Sequence, residues 1–132
     1  MRSVLFDTCI LIDYLNGLSP AADTLKEYAG NSAVSVITWM EVMVGALRLD
    51  HERQQATRRF LARFTLLTIS GAVPELAASI RAQSSMKLPD AIIGATAQIE
   101  NRLLITRNFK DFKNTHGVIF PYTLDSPDDH RL

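Results

Sequence analysis

Cysteine is almost absent: Cys9 stands alone in 132 residues, so no disulfide can form within the chain and a reducing compartment suits it. Long apolar runs are missing too. Asp, Thr or Gly interrupts each hydrophobic stretch well before the roughly 18 residues that a membrane span requires, so none is expected. The segment from Met1 to Ile12 carries Asp7 at its centre and lacks a small-residue cleavage site, which argues against a secretory signal and for a cytoplasmic protein. There is no excess of charge either. Lys and Arg number 14 against 14 Asp and Glu, so the chain as a whole lacks the basic footprint that phosphate binding usually leaves. The balance is uneven, because Asp125, Asp128 and Asp129 crowd the last eight residues against Arg131, leaving a net +2 over residues 1–124. If several remaining acids gather in one metal pocket, the rest of the surface is more basic than the total suggests. Charge thus permits RNA without arguing for it. His51, His116 and His130 show no ligand spacing, and neither repeats nor low-complexity tracts occur before the polar tail at 125–132.

What is present suits a folded domain. With 47% apolar and 21% charged residues, the chain can bury one core, and its length suits a single domain over residues 1–124. Ser3 to Phe6 reads as a strand, and Ile10, Leu11, Tyr14 and Leu15 then recur at helical spacing until Asn16-Gly17. Ala21 to Ala29 predicts a second helix, and Ala33 to Ile37 a strand, after which Thr38 opens a helix. Arg53 to Phe64 is helical in pattern, Leu66 to Ile69 extended, and Val73, Leu76, Ala77 and Ile80 mark another helix. Pro89 starts a further helix reaching about Glu100, Leu103 to Thr106 forms a fourth strand, and Val118 to Phe120 a short edge strand stopped by Pro121. Alternation of this kind predicts an α/β fold: an open parallel-sheet sandwich of four to five strands with helices on both faces.

Ligand sites in such sheets lie beyond the carboxyl ends of the strands. The acids follow that rule. Asp7 ends the first strand, Glu41 falls in the first turn after the second, Asp90 in the first turn of the Pro89 helix, and Asp111 a short loop after the fourth strand. Each has an ordinary explanation: Asp7 as an N-cap, Thr38-Trp39-Met40-Glu41 as a capping box, Asp90 as a partner of a helix dipole, Asp111 as an exposed loop acid. Convergence would change their meaning, since clustered carboxylates raise one another's pKa until a cation compensates. Mg²⁺, which takes oxygen ligands and keeps several waters, suits a shallow acidic site facing a phosphate, and two such ions could support phosphodiester hydrolysis.

Four segments carry a resemblance. Leu5-Phe6-Asp7-Thr8-Cys9-Ile10-Leu11-Ile12-Asp13, Ser35 to Glu41 with Gly45, Lys87-Leu88-Pro89-Asp90-Ala91-Ile92-Ile93-Gly94-Ala95-Thr96, and Leu104 to Asn108 through Asp111-Phe112 together resemble the PIN-domain ribonucleases, and more narrowly the VapC-type toxins of bacterial toxin-antitoxin pairs. The resemblance spans nearly all of residues 3 to 120. It implies a PIN-like nuclease domain over residues 1–124 and a Mg²⁺-dependent endoribonuclease, with Mn²⁺ able to substitute. It also implies a homodimer and an antitoxin that inserts a segment into the active-site groove. Asp7, Glu41 and Asp90 would hold metal directly or through water. Many relatives have Asp where this chain has Asn108, so either Asn108 fills the fourth acidic position or Asp111 substitutes for it. Relatives usually have Asn where this chain has Cys9, which is either a buried small thiol or, beside the metals, a reactive or softly ligating one.

Lesser features have two readings each. Thr8 and Thr106 could orient carboxylates or water; Arg107, Lys110 and Lys113 could hold RNA phosphates or form a solvated loop. Arg58, Arg59 and Arg63 suit a soluble surface, while Trp39, Met40 and Met43 suit either a partner-facing helix or core. Phosphatases of the haloacid-dehalogenase type need a second Asp where Cys9 stands, and phosphorelay receivers need an acidic pair after the first strand; neither requirement is met. A non-catalytic RNA- or protein-binding module on the same fold stays as the alternative to an enzyme.

Overall fold

Strand β1, Val4–Phe6, passes through a single residue, Asp7, into helix α1, Thr8–Leu15. A computed structural model describes residues 2–124; the expected polar tail at 125–132 lies outside the described residues. After α1 come α2 (Ser19–Glu27), β2 (Ser32–Ser35), α3 (Val36–Ala46), α4 (His51–Leu61) and β3 (Thr65–Leu67). The order continues with α5 (Val73–Gln83), α6 (Leu88–Ile99), β4 (Leu103–Ile105), α7 (Phe109–Phe112) and β5 (Val118–Ile119). The five strands pair in parallel in the order β3-β2-β1-β4-β5, as an open sheet with β1 at its centre. The chain adds strands outward on one side of β1 and then crosses to the other for β4, which makes the β1/β4 seam the topological switch point.

Alternation along the strands divides the apolar residues between two cores, because successive side chains point to opposite faces. Val4, Phe6, Val34 and Ile105 pack with Ile10, Leu11, Leu25, Val42, Met43, Phe60 and Leu61 on the face covered by α1 to α4. Leu5, Ala33 and Leu104 pack with Val73, Ala77, Ala91, Ile93 and Phe112 on the face covered by α5 to α7. All three residues of β1 are fully buried, as a central parallel strand requires. On the second face α6 approaches α7 closely at Gly94, where an added Cβ would stand 3.2 Å from Phe112 Cε1. No helix of the described residues is long and apolar enough to cross a membrane.

One boundary differs from the sequence expectation. Helix α3 begins at Val36 rather than at Thr38, because Ser35 caps it with Oγ accepting from the Ile37 amide at 3.1 Å. Capping here outweighs the β-branched character of Val36 and Ile37. Thr38 and Glu41 therefore form no capping box, and Glu41 lies in the second turn, not the first. Along the same helix Met43 is core, Trp39 is partly buried and Met40 is exposed, so the apolar run serves both readings. On α4 and its exit, Arg63 lies over the Phe60 ring at 5.6 Å.

Candidate active site

At the carboxyl ends of β1, β2 and β4 an open pocket of about 460 Å³ is lined by Asp7, Thr8, Cys9, Glu41, Asp90, Arg107, Asn108, Phe109 and Lys110. Three acids drawn from 84 residues of sequence thus face one space. Asp7 is both cap and floor: Oδ1 accepts from the Thr8 amide at 2.7 Å and Oδ2 from the Thr106 hydroxyl at 2.7 Å. It is 4% exposed. Burial pushes its pKa up, the Thr106 and Thr8 hydrogen bonds pull it down, and the Glu41 charge pushes it up again; the net direction is upward.

Glu41 reaches the pocket from the second turn of α3 and is held through hydroxyls. Thr8 Oγ1 donates to Glu41 Oε1 at 2.7 Å and lies 2.8 Å from Thr38 Oγ1. A hydroxyl has one proton, so Thr8, spending it on Glu41, must accept from the buried Thr38. The relay Thr38 to Thr8 to Glu41 ties α3 to α1. Asp90, in the first turn of α6, is half-buried with its pKa raised to about 6. Burial is the main cause; the charges of Asp7, Asp111 and Glu41 add to it, and Lys87 opposes them.

The alternatives left open at the fourth motif turn out to be coupled. Asn108 caps the short helix α7, with Oδ1 accepting from the Asp111 amide at 3.3 Å, and its Nδ2 donates to Asp111 Oδ2 at 2.9 Å. Asn108 lines the pocket, and Asp111 stands behind it, near enough to raise the pKa of Asp90. The fully buried Thr106 joins the two halves: its Oγ1 donates to Asp7 and accepts from the Asn108 amide at 3.0 Å. Cys9 Sγ lies 3.8 Å from Asp7 Oδ2 and 3.6 Å from Thr106 Oγ1. Burial, reinforced by Asp7, pushes this thiol up to about 12, against the lowering expected at a helix N-terminus, as for a buried small thiol.

Sequence reasoning assigned nothing to Asp13, which proves central. Its carboxylate is 1% exposed and accepts from Arg107 Nε at 2.6 Å and Nη2 at 3.1 Å, and from the Tyr122 hydroxyl at 2.7 Å. The pair holds Arg107 protonated, while burial and then the bond to Asp13 raise the Tyr122 phenol well above its usual range. Arg107 borders the pocket, yet its fork is engaged by Asp13, so Lys110 is the exposed cation at the rim. Lys113 is exposed and does not line the pocket. The one sequence signal for Asp13 is its place at the end of an otherwise apolar helical run.

Among the described residues no three His, Cys, Asp or Glu side chains are gathered tightly enough to enclose a metal ion unaided. The donor set nevertheless fits a hard cation that keeps much of its water: carboxylate oxygens on an open pocket, mutually raised in pKa.

Comparison with known proteins agrees with the fold. The PIN domain family matches residues 4–117. The chain is similar to one in a toxin-antitoxin complex from Klebsiella pneumoniae, with 46% identity, a TM-score of 0.86, and coverage of 92% of this chain and 100% of that one. It shares its fold with chains of DNA-bound VapBC from Salmonella typhimurium (23% identity, TM-score 0.73, covering 89% and 96%) and FitAcB from Neisseria gonorrhoeae (21%, 0.76, 89% and 97%). No curated protein matches it.

Proposed function

The chain belongs to the PIN domain family, and from that premise we propose that it is a metal-dependent endoribonuclease, the toxin of a toxin-antitoxin pair. The observation that carries the reading is the meeting of Asp7, Glu41 and Asp90 on one pocket at the β1/β4 switch point, with Asp7 and Asp90 raised in pKa. Like charges brought together and left short of cations favour a divalent ion, here Mg²⁺ with Mn²⁺ as substitute. Asp7, Glu41 and Asp90 would hold it, with Asp111 adding negative charge through Asn108. Bound there, such an ion supplies Lewis-acid activation of a water and neutralises charge on the departing oxygen of a phosphodiester.

The chain's own groups prepare that chemistry. Thr106 fixes one oxygen of Asp7 and the Thr8 amide fixes the other, so the carboxylate does not turn away when the pocket is empty of substrate. Thr8 aims Glu41 in the same way. Lys110 at the rim offers a phosphate contact that positions RNA without reading its sequence.

An antitoxin is the partner that the Klebsiella complex suggests, and the open apolar groove of about 450 Å³ lined by Ile12, Leu15, Val42, Ala46 and Leu49 offers a protein segment a seat. A homodimer is supported by Met40 and Val44 on α3 and Leu47 at its C-cap, exposed at i, i+4 and i+7.

Incubation of the purified chain with RNA and Mg²⁺ tests the enzyme reading. Cleavage is expected, restored by Mn²⁺ and abolished by EDTA and by Asp90→Asn, with the circular dichroism spectrum of the variant unchanged. Cleavage that survives chelation and Asp90→Asn would sink the metal mechanism; no cleavage by the wild type with either ion would favour the non-catalytic module.

A further inference from the structure

Among the described residues Phe109 is the most exposed large apolar side chain, at 59%, and it lines the rim of the pocket that holds Asp7, Glu41 and Asp90. An aromatic ring is normally withdrawn from water, since burying it is worth more than burying most other side chains. Phe109 is not loose. It opens α7 behind the Asn108 cap, and its ring sits edge-to-face with Phe120 at 5.1 Å and 62°, Phe120 itself being packed against the second core. The ring is thus oriented by the fold while more than half of the residue stays in contact with solvent. Lys110 follows it directly on the same rim, and Asp7, Glu41 and Asp90 lie across the pocket.

A phosphodiester over the three acids has nucleobases on either side, and Phe109, lining the same pocket, offers an exposed and oriented ring on which a base can stack. Stacking of bases on aromatic side chains is the usual means by which single-stranded nucleic acid is gripped without sequence discrimination. We propose that Phe109 is the stacking platform for a nucleobase next to the scissile phosphate, with Lys110 on the adjoining backbone. This assignment rests on the ribonuclease reading of the same pocket.

The test is a cycle between protein and substrate. The full-length chain with Mg²⁺ is given short single-stranded oligoribonucleotides in which an abasic nucleotide is walked through the positions flanking the cut. One abasic position and Phe109→Ala should each lower kcat/KM about 5- to 150-fold, and the two together no more than either alone. Phe109→Leu, which keeps an apolar contact to Phe120 but no ring face, should lose as much as Phe109→Ala, while Phe109→Trp retains activity. Thermal melts of all three should match the wild type. Losses that multiply, or cleavage unchanged in Phe109→Ala, would overturn the stacking role and leave the nuclease standing. Unchanged cleavage with weakened binding of a protein partner would assign the ring to that partner instead. A wild type that cuts no RNA with Mg²⁺ or Mn²⁺ would remove the nuclease reading, an outcome distinct from both.

Discussion

Two buried aspartates six residues apart serve the same short helix, one as its N-cap and the other within its last turn. Asp13 at the far end of α1 meets a bidentate guanidinium and a phenol, so its charge is answered in full. Asp7 at the near end receives only a backbone amide, one hydroxyl and a long contact from the Cys9 thiol, and faces Glu41 and Asp90. The first is a clamp that joins α1 to the β4 exit and to the segment that follows β5. The second is a debt of charge that the protein cannot settle from its own side chains. Burial by itself therefore does not mark a functional acid; burial with too few cations does.

Removing the debt should be the most damaging change to activity. Asp7→Asn keeps one acceptor oxygen, enough to cap α1 at the Thr8 amide, but puts an NH2 in place of the oxygen that accepts from Thr106 and takes away the charge. Cleavage of RNA should fall by more than the roughly 10- to 100-fold typical of outlying positions, with the fold intact by circular dichroism. A folded Asp7→Asn protein with near-normal cleavage would erase the distinction between the two aspartates.

The converse change strikes the clamp. Asp13→Ala strands the Arg107 guanidinium, whose side chain is only 14% exposed, and should cost about 3 kcal/mol or more in urea unfolding. A much smaller loss would mean that water solvates Arg107 readily and that the clamp is ornamental. Thr106→Val acts at the junction of the two regions. It removes the donor to Asp7 and the acceptor for Asn108, and should reduce kcat/KM about 10- to 100-fold while leaving stability within about 1 to 2 kcal/mol of wild type.

The smallest effect has the opposite sign. Asp90 titrates near 6 in the folded chain, above the ordinary 3.8, so the folded state binds its proton more tightly than the unfolded one. The stability this provides is complete below about pH 4 and is lost as pH rises through about 6. Asp90→Asn mimics the protonated form at every pH. In metal-free buffer it should melt about 3 to 6 °C above the wild type at neutral pH, the gap closing as pH falls toward 4. A lower melting temperature for the variant at neutral pH would show that Asp90 is not under repulsion.

The contrast between the two aspartates also explains what could be read from the chain. Strand-helix alternation and the apolar runs Val4 to Phe6 and Leu103 to Ile105 gave the parallel sheet, and the two-sided core follows from the pleat. That Asp7, Glu41 and Asp90 line one pocket was legible because each lies at a strand's carboxyl end or in the early turns of a recognisable helix. Asp13 was not, because its partners Arg107 and Tyr122 lie 94 and 109 residues away and no local pattern announces them. Thr38 was misread because Thr-x-x-Glu imitates a cap, while Ser35, three residues earlier, had the stronger claim to end the strand. Phe109 was passed over because a lone aromatic in a loop has no period; its significance lies in exposure, which only the folded chain assigns.

The close approach at Gly94 has a bearing on the acids themselves. Gly94 lies one turn along α6 from Asp90, and Phe112, the ring it admits, is bonded to Asp111. A methyl at 94 would meet Phe112 Cε1 at 3.2 Å and act as a thin shim, pressing on the α7 side of the gap between the two carboxylates by a few tenths of an ångström.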